Sequence, residues 1–333
     1  MPAPRKVVRR SDIEDKNIKT KAAFEQFIYE KAANGLVEET LSSYRITFNK
    51  FLAFFEESVE NTYDIGSELI TEWKVCMASV EELRTTTVNH HISNIRAFLY
   101  WCMEDDRNYV RPFRITLTKV KEEMPKDYTV EEVKALLKKP ERKAPFTEWR
   151  MWAVCCFVIG TGARLGTLVD IRFRDIDLNN GKVFYQHTKN KKLQFANLSP
   201  QLVKSLNDYI SEWLYNAKED DYLFCKQDMG QISKAALSQA YGHYAHSRGV
   251  KKSNIHGLRH TFAREWFLNG GDVVQLSKIL GHSTLAMSEH YMNVYADMAK
   301  DRFVEYNPLD NITRNAGTKR IVRHKSKANG GTA

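Results

Sequence analysis

The chain of 333 residues is long enough for two domains with separate cores, and its 43% hydrophobic and 27% charged residues are an ordinary balance for a soluble globular protein. No stretch of about 18 apolar residues is present, and no apolar segment follows the N-terminal Met-Pro-Ala-Pro-Arg-Lys, which speaks against a membrane span and a secretory signal. The formal charge of +9 sits in the tails: Arg5, Lys6, Arg9 and Arg10 at one end and Arg314, Lys319, Arg320, Arg323, Lys325 and Lys327 at the other leave the residues between them at −1.

Residues 1–20 read as a basic tail, suited either to solvation or to an electrostatic grip on a polyanion. Residues 21–106 read as a helical domain. Phe24, Phe27 and Ile28 start the pattern, Leu41, Tyr44, Phe48, Phe51, Leu52 and Phe55 form a stripe at steps of three and four, and another helix runs through 68–78. Val88, Ile92, Ile95, Leu99 and Cys102 repeat the stripe, with Asn89, His90, Asn94 and Arg96 on the other face. Arg45, Lys50, His90, Asn94 and Arg96 are the residues of this region expected to lie against a DNA duplex; the plainer reading is a wet outer face.

Residues 107–127 are polar, contain Pro112 and Pro125, and read as an extended linker with the domain boundary near 120. Thr129-Val-Glu-Glu132 is a capping box that opens a new helix and a second domain over 128–310. Residues 149–159 suit a buried helix. Three strand-like runs follow at 171–177, 182–187 and 193–198, the first two joined by the turn Asn179-Asn180-Gly181. Ser199-Pro200 starts another helix, and helical patterns fill 200–216, 233–247, 258–269, 272–280 and 284–306. Residues 311–333 form the second basic tail. The five cysteines, Cys76, Cys102, Cys155, Cys156 and Cys225, show no CxxC spacing; with Cys155 and Cys156 in an apolar run, they read as thiols in a reducing cytoplasm.

Five groups of residues have the chemistry of a phosphate site. Taken singly, each has an ordinary explanation: Arg164 as a surface arginine after Gly160-Thr-Gly162-Ala163, Lys189 as part of a solvated turn with Lys191 and Lys192. His256 and Arg259 are three apart and share a helix face. His256 and His260 have a metal-like spacing, but Gly257 stands where the zinc-protease motif requires Glu. His282 follows Leu280-Gly281, and Tyr291 or Tyr295 offers a phenolic nucleophile.

Together they are more specific. Thr161-Gly162-Ala163-Arg164, then Lys189, then His256-Gly257-Leu258-Arg259-His260, then Leu280-Gly281-His282-Ser283 and Tyr291 nine positions after His282 resemble, in order, the catalytic motifs of the tyrosine recombinase (phage integrase) family. The resemblance spans roughly residues 125–306, and residues 21–106 are similar to the family's core-binding domain. It implies a mainly α fold: an N-terminal helical, SAM-like core-binding domain and a mostly helical catalytic domain with a small three-stranded antiparallel sheet, the two forming a clamp around DNA. It favours Tyr291 over Tyr295, since only Tyr291 has the family spacing. One position departs from the pattern: Thr167 stands where the family usually has an acid that supports the first arginine.

What the resemblance implies for chemistry is a site-specific DNA recombinase. Tyr291 attacks the scissile phosphorus and forms a 3′-phosphotyrosyl ester, with His256 as base or hydrogen-bond partner, Arg164 and Arg259 on the non-bridging oxygens, Lys189 as the acid for the leaving 5′-oxygen and His282 as a further donor. Lys191 and Lys192 are also expected at the DNA. No cofactor, metal or ATP is implied. The implied partners are double-stranded DNA with a specific core site, a second protomer on each site and a homotetramer at the Holliday junction, with accessory proteins admitted and no membrane. With about 20 residues before the first helix, a Cre-like or dimer-resolving simple recombinase is expected rather than one with an N-terminal arm-binding domain. The alternatives are an integrase or excisionase of a phage or transposon, a type IB topoisomerase-like activity and a non-catalytic DNA-binding protein. The expected location is cytoplasmic, with the nucleoid.

Overall fold

The structure, a computed structural model, describes residues 18–55, 59–120, 127–186 and 194–282, together with Thr284, Ser288, Glu289 and Tyr295. The chain divides into two compact units, 1–123 and 124–333. Among the described residues no helix is long and apolar enough to cross a membrane.

The first unit contains α1 (Thr20–Ala33), α2 (Glu38–Phe55), α3 (Ser67–Ser79) and α4 (Thr85–Cys102). Its core is aromatic. Phe24 stacks on Phe48 with ring centroids 3.7 Å apart, and Phe98 meets both rings edge-on. These are the apolar stripes of α1, α2 and α4 closing on one another, and aromatic pairs of this kind add roughly 0.5–1.5 kcal/mol beyond the area they bury. The polar stretch after α4 is part of the same unit. Val110 and Ile115 are buried, and Asn89 exchanges hydrogen bonds with Thr118, its Nδ2 donating to the Thr118 carbonyl and its Oδ1 accepting from the Thr118 N–H.

The second unit contains α5 (Val130–Leu136), α6 (Phe146–Thr161), α7 (Leu165–Asp170), the strands β1 (Ile176–Asp177), β2 (Lys182–Tyr185) and β3 (Gln194–Asn197), then α8 (Pro200–Trp213), α9 (Lys234–Ser247), α10 (Ile255–Leu268) and α11 (Val273–Leu280). The capping box opens α5 as the sequence predicts: Thr129 accepts from the Glu132 N–H and Glu132 accepts from the Thr129 N–H. Helix α6 is apolar nearly all round and lies inside, packed against α8, α9 and α10. The strands form one antiparallel sheet in the order β1-β2-β3, with Val183 opposite both Ile176 and Ala196.

Two boundaries differ from the sequence reading. The first strand-like run, 171–177, is a strand only at Ile176–Asp177; Phe173–Asp175 is a 3-10 turn because the Asp175 carboxylate accepts from the Arg172 N–H and closes it. Helix α10 starts at Ile255, three residues before the predicted start, because the Asn254 side chain caps it by accepting from the His256 N–H. The extra turn places His256 on α10 with Arg259. Most of the predicted 284–306 helix lies outside the described residues.

Candidate active site

Two glycines after helices set up the site. Helix α6 ends at Gly162 with φ +67°, and α11 ends at Gly281 with φ +60°; both are left-handed positions where a side chain is strained. Gly162 has a second reason to lack a side chain: a Cβ there would lie 2.6 Å from both Leu280 Cδ2 and Phe262 Cδ1. The left-handed turns free the carbonyls at each helix end from the helical ladder.

Those carbonyls hold the arginines. Arg259 donates from Nη1 to the Gly162 carbonyl at 2.7 Å and from Nη2 to the Leu280 carbonyl at 2.8 Å. Arg164 donates from Nη2 to the Gly281 carbonyl at 3.0 Å. Three segments far apart in sequence, the end of α6, the first turn of α10 and the end of α11, are thus tied together by guanidinium groups. Among the described residues no carboxylate pairs with Arg164, and its pKa is lowered by burial alone. Support that an acid at 167 would give is supplied here by a backbone carbonyl, which orients the guanidinium and leaves its charge unneutralised.

The histidines share this positive field. His256 projects from α10 with an exposed surface, yet its pKa is lowered, first by the protein packed around its ring and then by Arg259 and Arg164. His282 follows the α11 cap; burial, then Arg259, Arg164, His256 and His260, bring its pKa down to about 4. Both imidazoles are therefore neutral at pH 7, each with one donor and one acceptor nitrogen. The rings of His256 and His260 meet edge-on with centroids 4.6 Å apart. Among the described residues no group of three His, Cys, Asp or Glu is arranged to hold a metal ion.

A family model described as the phage integrase family matches residues 126–298, more than half of the chain. The chain belongs to the phage integrase family, the tyrosine-type site-specific DNA recombinases. Curated relatives agree: tyrosine recombinase XerD of Halalkalibacterium halodurans is 23% identical, covering 85% of this chain and 97% of the relative, and tyrosine recombinase XerC of Staphylococcus carnosus is 26% identical, covering 85% and 96%. Among solved structures, XerH site-specific recombinase bound to palindromic difH substrate in a post-cleavage complex gives a TM-score of 0.66 at 19% identity, over 85% of this chain and 84% of that one. A lambda integrase dimer bound to a COC′ core site gives 0.65 at 15%, over 82% and 95%. These likenesses show the fold.

Of the sequence-predicted recombinase residues, the structure brings together Arg164, His256, Arg259 and His282. Lys189, Lys191, Lys192 and Tyr291 lie outside the described residues. The rival nucleophile Tyr295 is placed, and it is occupied: it is buried in a cluster with Ala263, Leu276 and Leu280, and its hydroxyl donates to Asp127 Oδ2 at 2.7 Å. The same carboxylate receives Arg264 Nη1 at 2.6 Å. A phenol held this way has an anchoring role, which weighs further against it as attacking group. Sequence reasoning missed Asp127, Arg264 and Ser288, whose hydroxyl lies 2.7 Å from His282 Nδ1. Gly281, directly after the predicted helix 272–280, was the one signal that pointed to the carbonyl cradle; Gly162 lies three residues past the predicted end of its helix, which runs on to Thr161.

In the first unit the residues expected at DNA have partners of their own. Arg45 donates to Glu38 and Lys50 to Glu81. Asn94 donates from Nδ2 to Ser43 Oγ and Thr47 Oγ1, both at 2.9 Å, and His90 Nε2 lies 3.0 Å from Ser43 Oγ, so these two knit α4 to α2. Arg96 is half-buried on α4.

Proposed function

We propose that this recombinase cleaves and rejoins DNA at short specific core sites through a covalent ester on Tyr291. The observation that carries the reading is the meeting of Arg164, Arg259, His256 and His282 in one positive pocket whose arginines are oriented by neutral carbonyls. A phosphodiester brings negative charge into that field, and the charge grows on the non-bridging oxygens as phosphorus becomes five-coordinate.

The steps balance without an outside reactant. The Tyr291 oxygen bonds to phosphorus as the P–O5′ bond breaks, His256 takes the phenolic proton through its free nitrogen, and Lys189 gives a proton to the departing 5′-oxygen. Arg164 and Arg259 hold the non-bridging oxygens and His282 donates to one of them. The ester conserves the energy of the broken bond, and attack by a 5′-hydroxyl from another strand completes exchange. Two protomers per site and four per pair of sites would carry this through a Holliday junction. The tyrosine recombinases XerD and XerC, matched over nearly their whole length, support a recombinase of their size and domain content.

The test uses nicked duplexes with a randomised core, which trap cleaved strands as covalent adducts. Adducts that survive denaturation, are sequenced to a common core and map to the peptide containing Tyr291 support the reading. The Tyr291→Phe protein should bind the recovered core and give no adduct. An adduct on that variant, or one mapping to Tyr295, would overturn the assignment. Relaxed circles without exchanged flanks would replace recombination by strand relaxation.

A further inference from the structure

We propose that Ser288 is a positioning residue for His282: its hydroxyl donates to Nδ1 and holds the imidazole in the form that carries its proton on Nε2, the nitrogen left to donate to DNA phosphate. The last clause rests on the recombinase reading; the tautomer does not.

The direction of the bond follows from the burial of Ser288. His282 Nδ1 and Ser288 Oγ are 2.7 Å apart, so one of them donates to the other. Ser288 is 0% exposed, and among the described residues its hydroxyl has His282 as its side-chain hydrogen-bond partner. If Nδ1 carried the proton, the serine hydroxyl hydrogen would have no side-chain acceptor among the described residues, and a buried donor left unmet costs about 1–3 kcal/mol. With Oγ donating to Nδ1, both groups are satisfied and the ring proton sits on Nε2.

The consequence is specific to an anion site. A neutral histidine presenting a bare Nε2 lone pair repels a phosphate oxygen; one presenting Nε2–H binds it. Burial first, and then Arg259, Arg164, His256 and His260, keep the ring from taking a second proton near pH 7, so the choice between tautomers is the choice between donor and acceptor. Ser288 also lies three residues before Tyr291 in sequence, so the same bond ties His282 to the segment that carries the proposed nucleophile. Outer partners of metal-ligating histidines change activity by roughly 10–100-fold when removed, and Ser288 would orient His282 toward an anion in the same way.

The experiment uses the full chain labelled with ¹⁵N-histidine, the His282 signals being assigned by their loss in His282→Gln. The wild-type protein should show His282 protonated on Nε2, with Nδ1 as acceptor. In Ser288→Ala the His282 signals should move toward a mixture of tautomers, and single-turnover adduct formation on the recovered nicked core should fall on the order of 10-fold with DNA binding unchanged. Ser288→Thr, which keeps the hydroxyl, should restore both. Wild-type signals with the proton on Nδ1 overturn the proposal, whatever the variants do. So does a Ser288→Ala protein with unchanged tautomer and rate. A wild-type tautomer on Nε2 with no adduct on any core sinks the recombinase assignment instead and leaves the bond direction standing.

Discussion

The two arginines of the candidate site and two cations of the first unit expected at DNA are held in opposite ways. In the first unit, Arg45 and Lys50 are paired with the carboxylates of Glu38 and Glu81. In the second unit, Arg164 and Arg259 are held by the carbonyls of Gly162, Leu280 and Gly281. A carboxylate orients a cation and cancels it; a carbonyl orients it and leaves its charge for a ligand. For Arg164 such anchoring is costly without an anion, because this half-buried guanidinium has given up water and among the described residues pairs with no carboxylate. That cost falls where the family motif lies, beside His256 and His282, whose pKa values are lowered by burial and then by these arginines.

The strongest way to break this contrast is Arg259→Lys. A lysine keeps the charge but cannot reach both carbonyls with a planar fork. Adduct formation is expected to fall on the order of 10²–10³-fold, the range for one lost transition-state donor. The Gly162 and Leu280 carbonyls would lose their donor, lowering stability by about 1–3 kcal/mol in urea denaturation. A rate within about threefold of wild type would mean that charge alone, not carbonyl-set geometry, governs the reaction.

Next in size is Gly162→Ala, which touches no charged group. The left-handed backbone alone costs roughly 1–3 kcal/mol in an L-residue, and the new Cβ must also displace Leu280 or Phe262. Cleavage should fall together with stability, because the Gly162 carbonyl is what Arg259 grips. Full activity with lowered stability would separate the cap from the cradle.

The pH dependence sharpens the comparison on its electrostatic side. The pKa of His282 is about 4 in the folded chain against an ordinary value near 6.5, so the unfolded chain binds more protons between these values. Its contribution to stability is therefore present above pH 6.5 and is lost as pH falls toward 4. In His282→Gln this part of the slope should vanish, the difference from wild type growing as the pH drops through that window in thermal melts. Equal slopes in the two proteins would deny His282 the lowered pKa that burial and then the neighbouring arginines give it. A bound phosphodiester should raise the pKa of His282, measured by the same ¹⁵N signals.

The smallest effect belongs to the first unit. If Arg45 lies along the duplex, Glu38→Gln releases it from its pair, and DNA binding should tighten by a few-fold. The salt dependence should steepen as well, by about 0.9 in the log–log slope for each further phosphate that Arg45 neutralises. No change in the slope would remove Arg45 from the DNA-facing surface.

Much of this was legible from the residues in line. Local chemistry decides caps and periods, so the Thr129–Glu132 box, the Ser199–Pro200 start and the apolar stripes of α2 and α4 read correctly. The motif order likewise singled out Arg164, His256, Arg259 and His282, which the fold brings near one another, since residue types and spacing are properties of the chain alone. The strand at 171–177 misread because Asp175 commits its side chain to a turn instead of leaving Phe173 and Arg174 to a ladder.

What only the folded molecule decided is which partner each polar group takes. Thr167 gave no hint that Arg164 would rest on the Gly281 carbonyl, 117 residues away, nor did Tyr295 reveal its bond to Asp127 across 168 residues. Nothing near Ser288 marked it as the neighbour of His282. Residue identity says what a side chain can donate or accept; burial and long-range packing choose the acceptor. That choice determines whether an arginine here is already neutralised or still available to an anion.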